Sequence, residues 1–139
     1  MSASYEVTTK TATSSNWFKW EGLIRHGVTI SAAARDDANT PTTTIRSGKA
    51  MGIITATKLA LENDATASDG SEVFAGILLE EVNLLDSDGN ARNVVASLAI
   101  GGTFKSSVIE ARADTNFSLA NAKLENKNIR LEPFDLFFD

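Results

Sequence analysis

Residues 73–79 read VFAGILL and residues 94–100 read VVASLAI, and these two stretches decide the fold. The first is apolar at nearly every position, which is typical of a central strand covered on both faces. In the second, the alternate residues from Val94 to Ile100 are all apolar, so they would line one buried face of a strand. Asp88-Gly89 lies between the two stretches and is a hairpin turn signal. The centre of the fold is therefore predicted to be a β-sheet.

Further strands are predicted on the N-terminal side of this pair. Residues 23–31 (LIRHGVTIS) read as a strand, and residues 51–56 alternate as a strand with one buried face would. Residues 32–44 and 63–71 are rich in Asp, Asn, Gly, Ser and Thr, with one Pro, and are predicted to be loops. Gly76, inside VFAGILL, predicts either a bulge or the close approach of another backbone.

Two short helices are predicted on the C-terminal side. Residues 107–110 (SVIE) fit a capping box, in which the serine side chain begins the helix and the glutamate bonds back to it. A second helix is predicted over residues 118–125, and residues 129–138 would form a last extended segment. The expected fold is thus mainly β with short helices (α+β), in a single domain over residues 16–139.

Residues 1–15 are predicted to form an arm that is flexible in the free protein. Eight of them are Ser or Thr and few are large and apolar, so burial cannot offset roughly 1–2 kcal/mol of backbone entropy per ordered residue. Tyr5, Val7, Thr8 and Thr9 nevertheless suit a pleated strand, and Pro is absent from the arm. The arm is therefore expected to become a strand when a partner supplies the missing edge.

An aromatic cluster follows the arm and holds both Trp residues of the chain: Trp17, Phe18 and Trp20. One interpretation is that these side chains are packing anchors where the arm meets the folded core. The other is that they form an exposed patch that docks on a partner.

A second aromatic cluster lies at the other end of the sequence, at Phe134, Leu136, Phe137 and Phe138. Three of the seven Phe residues fall within the last six positions, which is too many for one polar strand end. The cluster either closes the core of its own subunit or is buried between subunits.

Charge and composition exclude several classes of partner. The net charge is -5, and residues 36–139 carry 16 acidic against nine basic residues, so a phosphate backbone is not an expected partner. There is no Cys, which excludes disulfides and thiolate sites. No apolar run approaches the ~20 residues of a membrane span, and residues 1–10 lack the apolar middle of a secretory signal.

Catalytic, cofactor and metal sites are not expected either. The single His, His26, lies in a predicted strand and has no nucleophile motif beside it. Residues 101–106 (GGTFKS) carry Phe104 where a phosphate loop needs a glycine. Residues 86–90 (DSDGN) lack the later ligands of a calcium loop, so they are interpreted as a hairpin turn.

Five short sequence motifs follow one another in a characteristic order along the chain. Residues 45–48 (IRSG), 51–56 (MGIITA), 67–70 (ASDG) and 75–78 (AGIL) succeed one another, and residues 101–109 (GGTFKSSVI) lead into the predicted helix. In this order and spacing the chain resembles the head decoration proteins of lambda-type bacteriophages. The segment before Ile45 is longer and richer in aromatic residues than is typical of that family. The Phe-rich segment at the C-terminal end is also unusual for the family.

The resemblance implies a β-tulip fold, assembled as a homotrimer on the outer surface of the virion after synthesis in the host cytoplasm. The implied partner is the major capsid protein of the expanded head, against which the N-terminal arm becomes ordered. The implied role is that of a cement protein that resists the pressure of packaged DNA. An alternative is a phage tail or fibre accessory β-domain that binds glycans or a host surface, which a cleft of exposed aromatics would favour.

Overall fold

The computed structural model describes residues 17–133. The strands are β1 (Ile24–Ile30), β2 (Thr44–Ile45), β3 (Ala50–Ile53), β4 (Ala60–Glu62), β5 (Gly76–Leu78), β6 (Val82–Asn83), β7 (Val94–Lys105) and β8 (Ile129–Glu132), and the helices are α1 (Ser106–Arg112) and α2 (Leu119–Glu125). The expected fold class, mainly β with short helices, is confirmed. The predicted arm (residues 1–15) and the second aromatic cluster (134–138) lie outside the described residues.

Five strands close into a small barrel-like core. β7 pairs antiparallel with β1 on one side and with β5 on the other. β5 pairs with β3, β3 pairs with β4, and β4 returns to β1. Leu98 and Ala99 of β7 pair with β1 on one side. On the other side they pair with Leu78 and Ile77 of β5. The two stretches that decide the fold therefore lie side by side at its centre.

The alternation along β7 separates two clusters of buried side chains. Ala96 and Leu98 belong to the first, with Ile30, Ala34, Ile45, Met51, Ala60, Leu78, Val82 and Leu84. Ala99 and Phe104 belong to the second, with Phe18, Ala50, Phe74, Ile77, Ile109, Ala122, Ile129 and Leu131. Val94 and Ile100 pack against the first cluster, so the face predicted from the alternation is confirmed.

Gly76 marks a close approach between backbones. A Cβ atom on Gly76 would lie 2.6 Å from the carbonyl oxygen of Ala99 on β7, which is closer than real Cβ contacts. Of the two alternatives that the sequence predicted for Gly76, the close approach of another backbone is confirmed. The strand itself is shorter than predicted, because Val73 donates to the carbonyl of Gly70 in a turn and its side chain is 47% exposed.

β3 differs from its prediction in burial and length. Ala50, Met51 and Gly52 are all buried, whereas one buried face was expected, and the strand ends at Ile53. The reason is that β3 lies between β4 and β5, and the backbone of Ser71 from the 63–71 loop covers Gly52. The loops over residues 32–44 and 63–71 form as predicted, apart from Thr44 in the short β2.

The two helices confirm their predicted positions but not both predicted caps. α1 begins at Ser106 with Lys105 as its N-cap and has no side-chain cap, so the capping box predicted at residues 107–110 is wrong. The strand β7 runs directly into the helix, which leaves Ser107 inside the first turn. α2 is capped by Ser118, whose side chain accepts a hydrogen bond from the backbone of Asn121.

The hairpin and the last strand complete the fold. Asp86 accepts backbone hydrogen bonds from Asp88 and Asn90 through Oδ1, at 2.9 Å each, so the turn interpretation of residues 86–90 is confirmed. β8 pairs parallel with the final four residues of β7. It therefore extends the sheet beyond the closed core.

Candidate functional site

The segment Trp17–Trp20, here called the arm root, is held against the end of β7. Phe18 forms an antiparallel bridge with Phe104. The backbone of Lys19 donates to the carbonyl of Thr103 at 3.0 Å, and that of Lys105 donates to the carbonyl of Trp17 at 2.9 Å. Trp17, Phe18 and Lys19 are therefore held in a fixed position against the folded unit.

The three aromatic side chains of the arm root have different environments. Phe18 is buried in the second core cluster, its ring 6.1 Å from that of Phe104. Trp17 is half-buried, 4.8 Å edge-on from Phe18 and 6.0 Å from Phe104. Trp20 contacts Phe18 edge-on at 4.9 Å, yet it is 61% exposed. Phe18 and Trp17 thus have the environment of packing anchors, whereas most of the Trp20 side chain is exposed.

Arg112 ties the arm root to a distant turn. Its guanidinium lies 6.0 Å from the centroid of the Trp17 ring, within the range of a cation–π contact. Its Nη1 also donates to the carbonyl of Ser47 at 2.6 Å. Gly48 follows with a φ of +91°, and a Cβ atom there would lie 3.0 Å from the same Nη1. Arg112 therefore links the IRSG segment of the resemblance to the arm root.

A buried ion cluster holds the loop over residues 32–44 against the barrel. Asp36 and Lys49 are both fully buried, with Oδ1 and Nζ 3.3 Å apart. Arg46 adds a bidentate contact, from Nε to Oδ2 at 2.8 Å and from Nη2 to Oδ1 at 3.1 Å. The only sequence signal for this cluster is a lysine two residues before the buried Met51, and that signal does not identify its partner.

The two neighbouring acids of the loop have opposite surroundings. Burial is the largest influence on Asp36 and would raise its pKa, but the hydrogen bonds and charges of Arg46 and Lys49 outweigh it and hold the pKa below its usual value. Asp37 instead lies near Asp114, whose pKa is raised chiefly by burial and further by the Asp37 carboxyl.

Within residues 17–133, no group of three or more His, Asp or Glu side chains is arranged to hold a metal ion. His26 is exposed on β1, and residues 101–105 belong to the strand β7. In the same range no helix is long and apolar enough to cross a membrane.

Comparison with known proteins leaves the family open. No protein-family model matches the chain, and no curated protein matches it with significant similarity.

Proposed function

We propose that this protein is a capsid decoration protein of a tailed bacteriophage. In this proposal it has no catalytic activity and no cofactor. It assembles as a β-tulip homotrimer on the outside of the expanded head, binds the major capsid protein through its arm, and stabilises the shell against the pressure of the packaged DNA.

The observation that carries the proposal is the construction of the arm root. A strand-competent, Ser/Thr-rich segment precedes Trp17, and Trp17–Lys19 is bonded to the end of the longest strand of the barrel. This arrangement suits a folded domain that binds a second protein through an extended segment. Trp20 adds an exposed aromatic ring beside the starting point of that segment.

The entropy cost of ordering the arm favours backbone hydrogen bonds as the main source of the binding free energy. Ordering about 15 residues costs on the order of 15–30 kcal/mol of conformational entropy. The arm has few large side chains to offset this by burial, so hydrogen bonds along a β edge of the capsid protein contribute much of the gain. Three arms on one trimer bind together, and linkage of this kind can raise avidity by ~10²–10⁴.

The glycan-binding alternative receives less support. It needs a cleft lined with exposed aromatic rings, and within residues 17–133 Trp20 is the one aromatic ring among the exposed large apolar side chains. A glycan array would test it directly, and specific binding to a carbohydrate would favour this alternative.

The deciding experiment uses undecorated expanded heads assembled from the major capsid protein encoded in the same genome. We expect the purified full-length chain to bind them saturably and to raise the temperature at which they disrupt. Heads treated with a variant lacking residues 1–15 should remain undecorated. Binding of the truncated chain at full affinity would show that the arm is not the binding element, and failure of the full-length chain to bind would overturn the proposed function.

A further inference from the structure

Within residues 17–133, one backbone edge of β1 is largely unpaired. All seven of its residues pair with β7, whereas on its other side the described residues provide one pair, Ile30 with Ala60. Ser97 of β7 accepts a hydrogen bond from Leu79 and donates one to Glu80, so its polar backbone atoms point away from β1. Because opposed residues in an antiparallel pair alternate in bonding, Gly27, opposite Ser97, directs its N–H and C=O away from β7. The same holds for Arg25, two residues earlier.

This edge is exposed, and large apolar side chains lie close to it. Residues 24–27 are exposed, and three large apolar side chains lie on or beside the β1–β7 pair: Trp20 at 61%, Ile24 at 55% and Val95 at 77% exposure. No Pro lies in β1, and its register is unbroken from Arg25 to Ile30. Long edges without such interruptions readily accept a further strand.

We propose that residues 134–138 (FDLFF) of a second copy of this chain add as a strand to the open edge of β1. The five residues of this segment are equal in number to the residues of β1 from Arg25 to Thr29. In an extended strand Phe134, Leu136 and Phe138 lie on one face, with Asp135 and Phe137 on the other. When Asp135 lies on the face of Arg25, it supplies a charge opposite to that of Arg25. The first set then lies on the face of Ile24 and can cover that exposed apolar side chain.

The strand comes from a second copy because residues 134–138 cannot reach the β1 of their own subunit. β8 runs parallel to β7, with Glu132 opposite Lys105, so the chain leaves in the direction away from β1. Thr29 pairs with Val95, ten residues back along β7, which corresponds to about 33 Å at ~3.3 Å per residue. Five extended residues span at most roughly 18 Å.

The geometry makes the contact head-to-tail. Each copy gives one strand and accepts one, so the interface is heterologous and closes into a ring when the rotation between copies permits. A ring of three is the homotrimer of the proposed function. The inference rests on that self-association and is independent of the capsid protein.

Disulfide trapping tests the contact, because the chain contains no Cys. Two double variants are made, Gly27→Cys with Leu136→Cys and Gly27→Cys with Asp135→Cys, so that both faces of the added strand are sampled. After mild oxidation we expect one of them to give dimer and trimer bands on a non-reducing gel, at least tenfold more than a control that pairs Ser87→Cys with Leu136→Cys. Ser87 is exposed in the hairpin turn. Cross-linking no greater than that of the control in both variants would overturn the inference.

A proline at Gly27 provides the second test. The N–H of Gly27 points to the open edge, and a Cβ atom there meets nothing within 4 Å, so Gly27→Pro removes an outward donor while leaving the bonds to β7 in place. We expect Gly27→Pro to weaken trimer formation in light scattering by at least tenfold, with Gly27→Ala unchanged. An undiminished trimer in a folded Gly27→Pro variant would contradict the inference. Both tests use the purified chain, so a failure to bind heads leaves their outcome unaffected.

Discussion

Lys49 and Asp36 form a fully buried ion pair, with Nζ and Oδ1 3.3 Å apart, among the mostly apolar buried side chains of residues 17–133. The pair joins the loop over residues 32–44 to the turn before β3. Arg46 satisfies the second carboxylate oxygen. Charges in such a position are stable only as a set, since each one alone would be buried without compensation.

The first prediction follows from this pair. Asp36→Ala leaves the Lys49 ammonium buried without its partner, and we expect it to lower the free energy of unfolding by about 3–5 kcal/mol. Lys49→Met removes the ammonium but leaves Asp36 with Arg46, so its effect should be smaller. Urea unfolding of both variants measures the difference. Equal losses in the two variants would show that shape, rather than charge, dominates at this site.

The second prediction concerns pH and Asp114. The raised pKa of this carboxyl means that the folded state binds its proton more tightly than the unfolded state does. Its contribution to stability is therefore complete below the ordinary Asp pKa of about 3.8 and is lost as pH rises through the raised value. Asp114→Asn should have a higher Tm than the wild type at pH 7, and the difference should shrink towards pH 4.

Asp86→Asn is the matched control for that prediction. Hydrogen bonds from the backbone of Asn90 and Asp88 lower the pKa of Asp86, although burial opposes them. This substitution should therefore lower the Tm at pH 7. Calorimetric scans at several pH values measure both variants, and shifts of the same sign would contradict the assignment.

The third prediction tests the close approach at the centre of the barrel. Gly76→Ala places a Cβ atom 2.6 Å from the carbonyl oxygen of Ala99, and the backbone there cannot give way cheaply. We expect a loss of about 1–3 kcal/mol in the free energy of unfolding. Gly27→Ala, where the added Cβ atom has open space, is the control and should leave stability nearly unchanged.

The fourth prediction concerns the arm. Val7→Pro should weaken binding to expanded heads more than Val7→Ala does, because proline also removes a donor from the strand ladder. Both variants should fold and assemble like the wild type. Affinity for heads, measured by co-sedimentation, is the readout, and equal losses in the two would assign the effect to the Val7 side chain alone.

The fifth prediction separates Trp20 from its neighbours. Trp20→Ala should reduce affinity for heads with little change in Tm, since the ring is mostly exposed. Phe18→Ala should instead lower the free energy of unfolding by about 3–5 kcal/mol, because its ring is buried. A Trp20→Ala variant that binds heads normally would remove this ring from the proposed interface.

Local sequence patterns predicted most of the strands and both helices. The alternation in β7 identified its buried face, because period two is visible within one strand. The cap of α1 was mispredicted, since the same four residues can begin a helix or lie within its first turn. The Asp36–Lys49 pair and the link from Arg112 to Trp17 were not predictable, because each joins residues whose proximity depends on the tertiary fold. The same is true of the open edge of β1.

The pairing of β1 with β7 also sets the order in which the chain can fold. Its partners are separated by 64 residues at Ile30 and Val94 and by 77 at Ile24 and Gly101. During synthesis β1 emerges from the ribosome long before the strand that completes it, so the barrel cannot close until β7 has been made. Pairings of such large sequence separation slow folding, because the entropy of a long loop is lost before the contact forms. Folding of the barrel is therefore expected to be largely post-translational, and until β7 is made the described strands offer β1 a single pair, Ile30 with Ala60 of β4.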